Sequence, residues 1–480
     1  MAKRYNAIAV SIDLAADLET PVSVFLKLAS AKKHAFLLES VELEERLGRF
    51  SLIGMDPDMT IEYQNDRCLL SKNGKKKIRL RGGSFLEVVQ SLMKSYRFAP
   101  HPKLPPLVGG FVGYIGYELV QQFEDIRFRN KKGLEVPDSV LFLPTNLIVF
   151  DHIKHELKLI HLAVIDGLPK RAYRKAIRKL NLMVRDLKKA VREHSGSSGA
   201  GSRSTELRSN LTKPRFESMV RRAKEHIRAG DCIQIVLSQR FALGRVPNDF
   251  KLYRILRSLN PSPYMFYFRH RDLSLVGSSP EMLAKKTGCK AEIRPIAGTR
   301  PRGDTEEQDL AYEAALKASP KEMAEHLMLV DLGRNDLGRV SHSRSVRVRD
   351  FARVERYSHV MHLVSEIQAT LKQGKTAFDL LRASFPAGTV AGAPKIRAMQ
   401  IIDELEPERR GPYAGSLGYF SLTGDMDMCI TIRTIVIHRK EAYVQAGAGI
   451  VNDSVPRKEY QETINKAKAL FHAVQKTRES

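Results

Sequence analysis

Two short segments carry the carboxylates whose spacing is most suggestive of chemistry. "SPKEMAEHLM" (319–328) and "PRKEYQETIN" (456–465) each contain a lysine, a glutamate and, three residues on, a second glutamate. On a helix such residues share a face, so Glu322 with Glu325, and Glu459 with Glu462, would project as pairs. Paired carboxylates suit a hard, oxygen-seeking divalent cation, but glutamate is equally a common helix former on solvated faces. In the first segment Ser319 fits an N-cap, Pro320 the first helical position, and Glu322 the carboxylate of a capping box. Glu325 has no such structural role. On spacing alone, an ordinary helix face is the stronger reading of both segments.

Other polar constellations also lie after residue 230. "SSPEML" puts Glu281 just after Pro280, where it could open a helix and interact with the helix dipole. "RPIAGTRPRGD" is a rigid cationic loop suited to carboxylates or phosphates, or simply to a turn. "FPAGTVAGAPKIRAMQ" (385–400) is a Gly/Ala loop running into a helix, whose backbone N–H groups could hold an anion, though it lacks the residue order of a nucleotide P-loop. In "QAGAGIVNDS", Gly447 and Gly449 would let a ligand touch the backbone.

The elements that must position these residues follow from the rest of the chain. At 480 residues and 43% hydrophobic content, the sequence has material for a large soluble core. Its apolar runs are too short to span a membrane, and its start lacks a signal-peptide pattern, so a cytoplasmic protein is expected. Four scattered cysteines without CxxC spacing suggest neither a zinc site nor a disulfide framework. The net charge of +25 raises a nucleic-acid reading, but no recognised nucleic-acid motif accompanies it. Much of the charge sits in a hairpin-like segment at 67–82, with its turn around Asn73 and Gly74, and in a helix at 170–194. That helix places Tyr173, Ala176, Ile177, Leu180, Val184, Leu187 and Val191 on one apolar stripe.

A Ser/Gly-rich stretch at 194–214 reads as a flexible linker, separating an N-terminal region (1–193) from a region at 215–480. Strand-like segments include "HAFLLESV", "SVLFLPTNLIVF", "CIQIVLSQRFAL", "YMFYFRH", "MCITIRTIVIH" and "EAYVQAGAGIV". The last two are joined by only a few residues and must be antiparallel, which favours α+β over a doubly wound parallel sheet.

In combination, "GSSPEML", "RPIAGTRPRG", "EHLMLVDLGRNDLGRV", "VERYSHVMHLVSEI", "FPAGTVAGAPKIRAMQIIDELEP", "GPYAGSLGYF" and "QAGAGIVNDSVPRKEYQET" occur in the order found in chorismate-utilising enzymes. The chain resembles that family, and within it the anthranilate synthase large subunits. The likeness is most specific from about residue 210 to 475; earlier, "LLES" at 37–40 matches a tryptophan-regulation motif. The resemblance implies an α+β fold of mainly antiparallel sheets packed as a sandwich with helices outside, the N-terminal region contributing a tryptophan site to one intertwined unit. It implies Mg²⁺ at Glu325 and Glu462, with Glu322 and Glu459 in the outer shell. Glu281 matches a general acid for the C4 hydroxyl, with a pKa expected to be raised by burial and neighbouring negative charge. Gln234 stands where water-adding relatives carry a lysine base, and Ala297 where many para-aminobenzoate synthases carry a lysine nucleophile.

His362 matches the histidine associated with pyruvate elimination. Thr389, Tyr413, Arg433, Gly447 and Gly449, with Ala297, Gly298, Thr299 and Lys458, match residues around the substrate. Leu38, Glu39, Ser40, Pro261, Tyr264 and Met265 match the tryptophan site. The chain carries no glutaminase-like cysteine motif, so the resemblance implies ammonia from a separate glutamine amidotransferase subunit. The rival readings are para-aminobenzoate synthase component I and, from a different class, a basic nucleic-acid-binding or inactive scaffold.

Overall fold

The computed structural model describes residues 4–40, 48–72, 78–80, 83–101, 104–129, 132–191, 207–357 and 360–479. Most of the expected linker, and the expected turn at Asn73 and Gly74, lie outside these residues. The described end of the linker is ordered: Arg208–Ser209 pairs with the strand Gln234–Arg245, and the helix Lys213–Arg228 begins within it.

Antiparallel pairing links the described strands into one continuous network of 22. A sheet that large must curl or fold into layers. Its innermost cluster, including Phe36, Tyr114, Phe142, Phe268, Leu275 and Val436, receives nothing from helices among the described residues. Two flanking clusters pack helices onto the outer faces. One uses Phe85–Lys94, Pro320–Gly338 and Ala377–Ser384; the other uses Pro21–Leu28, Asp249–Leu259 and Pro456–Glu479. The strand Tyr264–His270 illustrates the layering, because Phe266 and Phe268 enter the inner cluster while Met265 and Tyr267 face the helices. Burial on both faces makes its sequence nearly all apolar.

The two halves of the chain share this network. His34–Glu39 pairs on one side with Phe50–Gln64 and on the other with Tyr264–His270. Gly110–Ile115 pairs with Ser416–Ser421. Close approach there requires glycine, since a Cβ at Gly110 would fall 2.0 Å from the Phe420 carbonyl oxygen.

Three local expectations change. "MCITIRTIVIH" forms two strands, Met426–Ile430 and Thr434–His438, because Arg433 adopts φ 50° and breaks the ladder. "SSPEML" opens no helix; Glu281 joins the strands Leu273–Ser279 and Met282–Thr287. The basic helix ends at Leu187, burying Ala176, Leu180, Met183 and Leu187, so Val191 lies beyond it and is 41% exposed, while Tyr173, near its start, is 57% exposed. Among the described residues, no helix is long and apolar enough to cross a membrane, and the four cysteines are free.

Candidate active site

The segments singled out for their polar residues converge on one cavity of about 630 Å³. Two helices bring carboxylates to it. Pro320–Gly338 starts at Ser319, whose hydroxyl accepts the Glu322 N–H at 3.4 Å. The Glu322 carboxylate does not turn back to close a capping box; Arg300 Nη1 donates to it at 3.2 Å, leaving it at the cavity wall with Glu325. Pro456–Glu479 presents Glu459 and Glu462. Burial, then the negative charge of Glu322 and Glu462, raises the Glu325 pKa. Burial and Glu462 likewise raise that of Glu459. Carboxylates about 140 residues apart in sequence therefore act on one another in one space. Positive charge comes from Lys321 at the wall and from Lys466, whose Nζ pairs with Glu462 at 2.5 Å and donates to the Gly447 carbonyl at 2.9 Å. Among the described residues, no three metal-binding side chains stand close enough to enclose a cation unaided. An all-oxygen set from two helices, with space for water and an anionic ligand, nevertheless fits the chemistry of Mg²⁺.

Glu281 is 7% exposed, and burial pushes its carboxyl up to about 8, against the opposing influences of the Thr389 hydroxyl and Lys466. The expected negative neighbour is not the cause; enclosure by strands is. Glu281 is therefore mostly protonated at neutral pH. His362, on the strand Val360–Thr370, places Nδ1 2.7 Å from the Gly298 carbonyl and 3.2 Å from Thr299 Oγ1. A carbonyl only accepts, so Nδ1 carries the hydrogen and Nε2 keeps a lone pair. Burial lowers the imidazole pKa and favours the neutral ring.

Gln234 Nε2 lies 3.5 Å from Glu325 Oε1, while its buried Oε1 has no partner among the described residues. A Cβ at Gly449 would sit 2.7 Å from Gln234 Nε2, and one at Gly447 would sit 2.6 Å from the Tyr413 hydroxyl. These glycines keep the wall low. Ala297 and Gly298 line the cavity from Ile296–Pro301, and the break at Arg433 turns that residue into the same wall.

Comparison with known proteins gives the chain a family. The family described as chorismate binding enzyme matches residues 33–472. The chain belongs to this family. Anthranilate synthase component 1 from Acetivibrio thermocellus is 43% identical, covering 100% of this chain and 97% of the relative. The protein of the same name from Aquifex aeolicus is 44% identical over the same shares. Among solved structures, anthranilate synthase component I from Streptococcus pneumoniae superposes with a TM-score of 0.78 at 37% identity, covering 95% of this chain and 99% of that one.

In this chorismate-binding enzyme, Lys458 is exposed and absent from the cavity wall. Lys466 is there instead, two helical turns further on. Its position four residues after Glu462 was the available signal, since that spacing places a lysine beside the carboxylate. Lys321 and Asn465 were also missed; Lys321 adjoins Glu322 and reads equally well as a solvated charge.

A second cavity, about 1530 Å³, is lined by Leu38, Glu39, Ser40, Tyr264 and Met265. Pro261 does not reach it; Pro263, two residues on, does. Glu39 contributes little charge to this space, because its carboxylate is held by the Tyr253 hydroxyl and by Arg257 Nε at 3.0 Å. Ser40 Oγ is buried without a partner among the described residues.

Proposed function

We propose that this chain is the aminating large subunit of an anthranilate synthase, converting chorismate and ammonia to anthranilate and pyruvate at the first committed step of tryptophan synthesis. The observation carrying this choice is the pair Gln234 and Ala297 on the cavity wall, where a lysine base or a lysine nucleophile would serve the rival reactions. Glutamine cannot deprotonate water, whereas ammonia needs no such help; alanine gives no covalent intermediate and disfavours para-aminobenzoate synthesis.

Glu325 and Glu462 would hold Mg²⁺, with Glu322 and Glu459 outside them; when bound, the ion supplies positive charge to the ring carboxylate and draws electron density from the ring. Arg433 and Tyr413 grip the substrate's other carboxylate, Thr389 and the backbone at Gly447 complete the anchoring, and the low glycine wall admits the ring. The unpaired Gln234 Oε1 accepts an N–H of incoming ammonia. As the C2–N bond forms and the ring double bonds shift, the C4–O bond breaks and Glu281 gives the proton with which the hydroxyl leaves as water. His362 Nε2 then takes the C2 proton. The C–H electron pair enters the ring, the C3–O bond breaks, and pyruvate departs as its enolate from an aromatic product; the proton the enolate takes up is matched by the one the added ammonium nitrogen gives up.

Ammonia comes from a glutamine amidotransferase subunit, and the pair works in the cytoplasm. Tryptophan binds in the second cavity against Ser40 and inhibits. One strand supports a coupling route: Met426–Ile430 contributes Asp427 and Cys429 to the second cavity, and the chain continues directly to Ile432 and Arg433 in the first. Mixing the purified chain with chorismate, Mg²⁺ and an ammonium salt should give anthranilate fluorescence. No product, or para-aminobenzoate instead, overturns the proposal.

A further inference from the structure

His362 must present Nε2 to the ring in one orientation, and its bond to Gly298 fixes only one edge of the imidazole. A torsion about χ2 would carry Nε2 off line while preserving an approximate Nδ1 contact. The neighbouring strand supplies the remaining restraint. Arg347–Arg356 and Val360–Thr370 are antiparallel, with Glu355 directly opposite His362, so the two side chains share a face of the ladder. Tyr357, two residues beyond Glu355, lays its ring against the imidazole at a centroid distance of 5.5 Å and an interplanar angle of 66°. That edge-to-face packing resists rotation of the histidine ring.

Tyr357 is itself held at three points. Its N–H donates to the Val360 carbonyl at 2.8 Å, its carbonyl accepts from Arg302 Nη1 at 2.7 Å, and its hydroxyl donates to Glu355 Oε2 at 3.0 Å. Arg302 is fixed in turn on Asp309, and the other Glu355 oxygen is gripped by Arg294 and Arg353. Arg294 lies two residues before Ile296, where the Ile296–Ala297–Gly298 wall begins. The strand that carries the carbonyl partner of His362 and the residues that clamp its ring are thereby tied together.

We propose that Tyr357 and Glu355 are positioning residues for His362, with Glu355, anchored by Arg294 and Arg353, holding the tyrosine that holds the imidazole. Neither touches the reacting atoms. Their effect falls on the second half of the reaction, when His362 takes the C2 proton, and leaves the earlier C–N bond formation intact. The proposal rests on the functional reading above, and its signature is a change in product partition rather than in overall speed.

The test measures, by chromatography, both anthranilate and the unaromatised amino intermediate released from chorismate, Mg²⁺ and an ammonium salt, in wild type, Tyr357→Ala, Tyr357→Phe, Glu355→Gln and His362→Ala. Tyr357→Ala should raise the released-intermediate fraction roughly two- to tenfold, the scale of one lost aromatic pair, with KM for chorismate within about twofold of wild type. Tyr357→Phe keeps the ring and should restore most of the partition. Glu355→Gln preserves shape and secures the test if the alanine variant fails to fold; it should raise the fraction less than Tyr357→Ala and in the same direction as His362→Ala. Slower turnover with unchanged partition in both the Tyr357→Ala and Glu355→Gln proteins would mean a merely structural role and overturn the proposal. Wild type that consumes no chorismate would instead sink the functional reading, and this inference with it.

Discussion

Glu281 has a single proton to give, and its environment decides whether that proton is present. Burial raises the carboxyl to about 8, so the acid form predominates at neutral pH and declines as pH rises through that value. The rate of chorismate consumption with saturating ammonia should therefore fall on the basic side with a midpoint near 8; a rate still flat at pH 9.5 would remove Glu281 as the acid. Glu281→Gln keeps the shape and removes the proton, and should cost about 10²- to 10⁴-fold in kcat. Glu462→Gln should nearly abolish Mg²⁺-dependent turnover, while far-UV circular dichroism stays unchanged, because the side chain lies at a cavity wall rather than in the core. Full activity of that variant would remove it from the metal site. Residue types were readable here because motif order supplied their context. Their surroundings were not: whether Glu281 is raised by a neighbour or by enclosure depends on strands that meet only in the folded chain. Lys466 was missed for the opposite reason, since a lysine four residues after a glutamate is common on any solvated helix.

At the scale of elements, the informative places are those where regular structure stops. Alternation and apolar runs located strands such as His34–Glu39, Ser139–Asp151 and Tyr264–His270, where nearly every residue is buried on one face or both, but passed over others such as Phe50–Gln64 and Val360–Thr370. They could not locate the break at 431–433, because "CITIRT" has uniform strand propensity and the interruption is a tertiary demand that Arg433 meets by adopting φ 50°. The segment "PPLVGGFVGYIGYEL" holds four glycines, whose number suggests tight turns or close packing, and at one of them the reason is geometric. At Gly113 the strands Gly110–Ile115 and Ser139–Asp151 approach so closely that a methyl group meets the Val140 carbonyl oxygen at 2.0 Å. Gly113→Ala must shift backbone rather than a side chain. It should lower stability by about 1–3 kcal/mol or more, read as a reduced urea midpoint. An unchanged midpoint would show that the two strands have slack.

For the whole molecule, local composition marks a division at the linker and the family resemblance alone implies one intertwined unit; in the fold, strands of the first region pair with strands of the second as well as with one another. Pairings between residues more than 200 positions apart leave no local pattern to read. Interleaving has a functional consequence under the proposed regulation. The strand His34–Glu39 delivers Ser40 to the second cavity, and the Tyr264 hydroxyl there donates to Asp427 at 3.0 Å, on the strand that leads into Arg433. A ligand filling that space bears on the substrate wall through a few residues of rigid backbone, so it need not reach the active cavity to disturb it. Ser40→Phe places a ring on the wall of that space, excluding an indole while leaving Arg433 untouched. The tryptophan concentration for half-inhibition should rise at least about tenfold, equivalent to roughly 1.4 kcal/mol of lost binding, with uninhibited ammonia-dependent turnover within about twofold of wild type. An unmoved inhibition curve would place the effector elsewhere, whereas loss of inhibition together with basal activity would mean that the strand network, rather than the cavity, had been damaged.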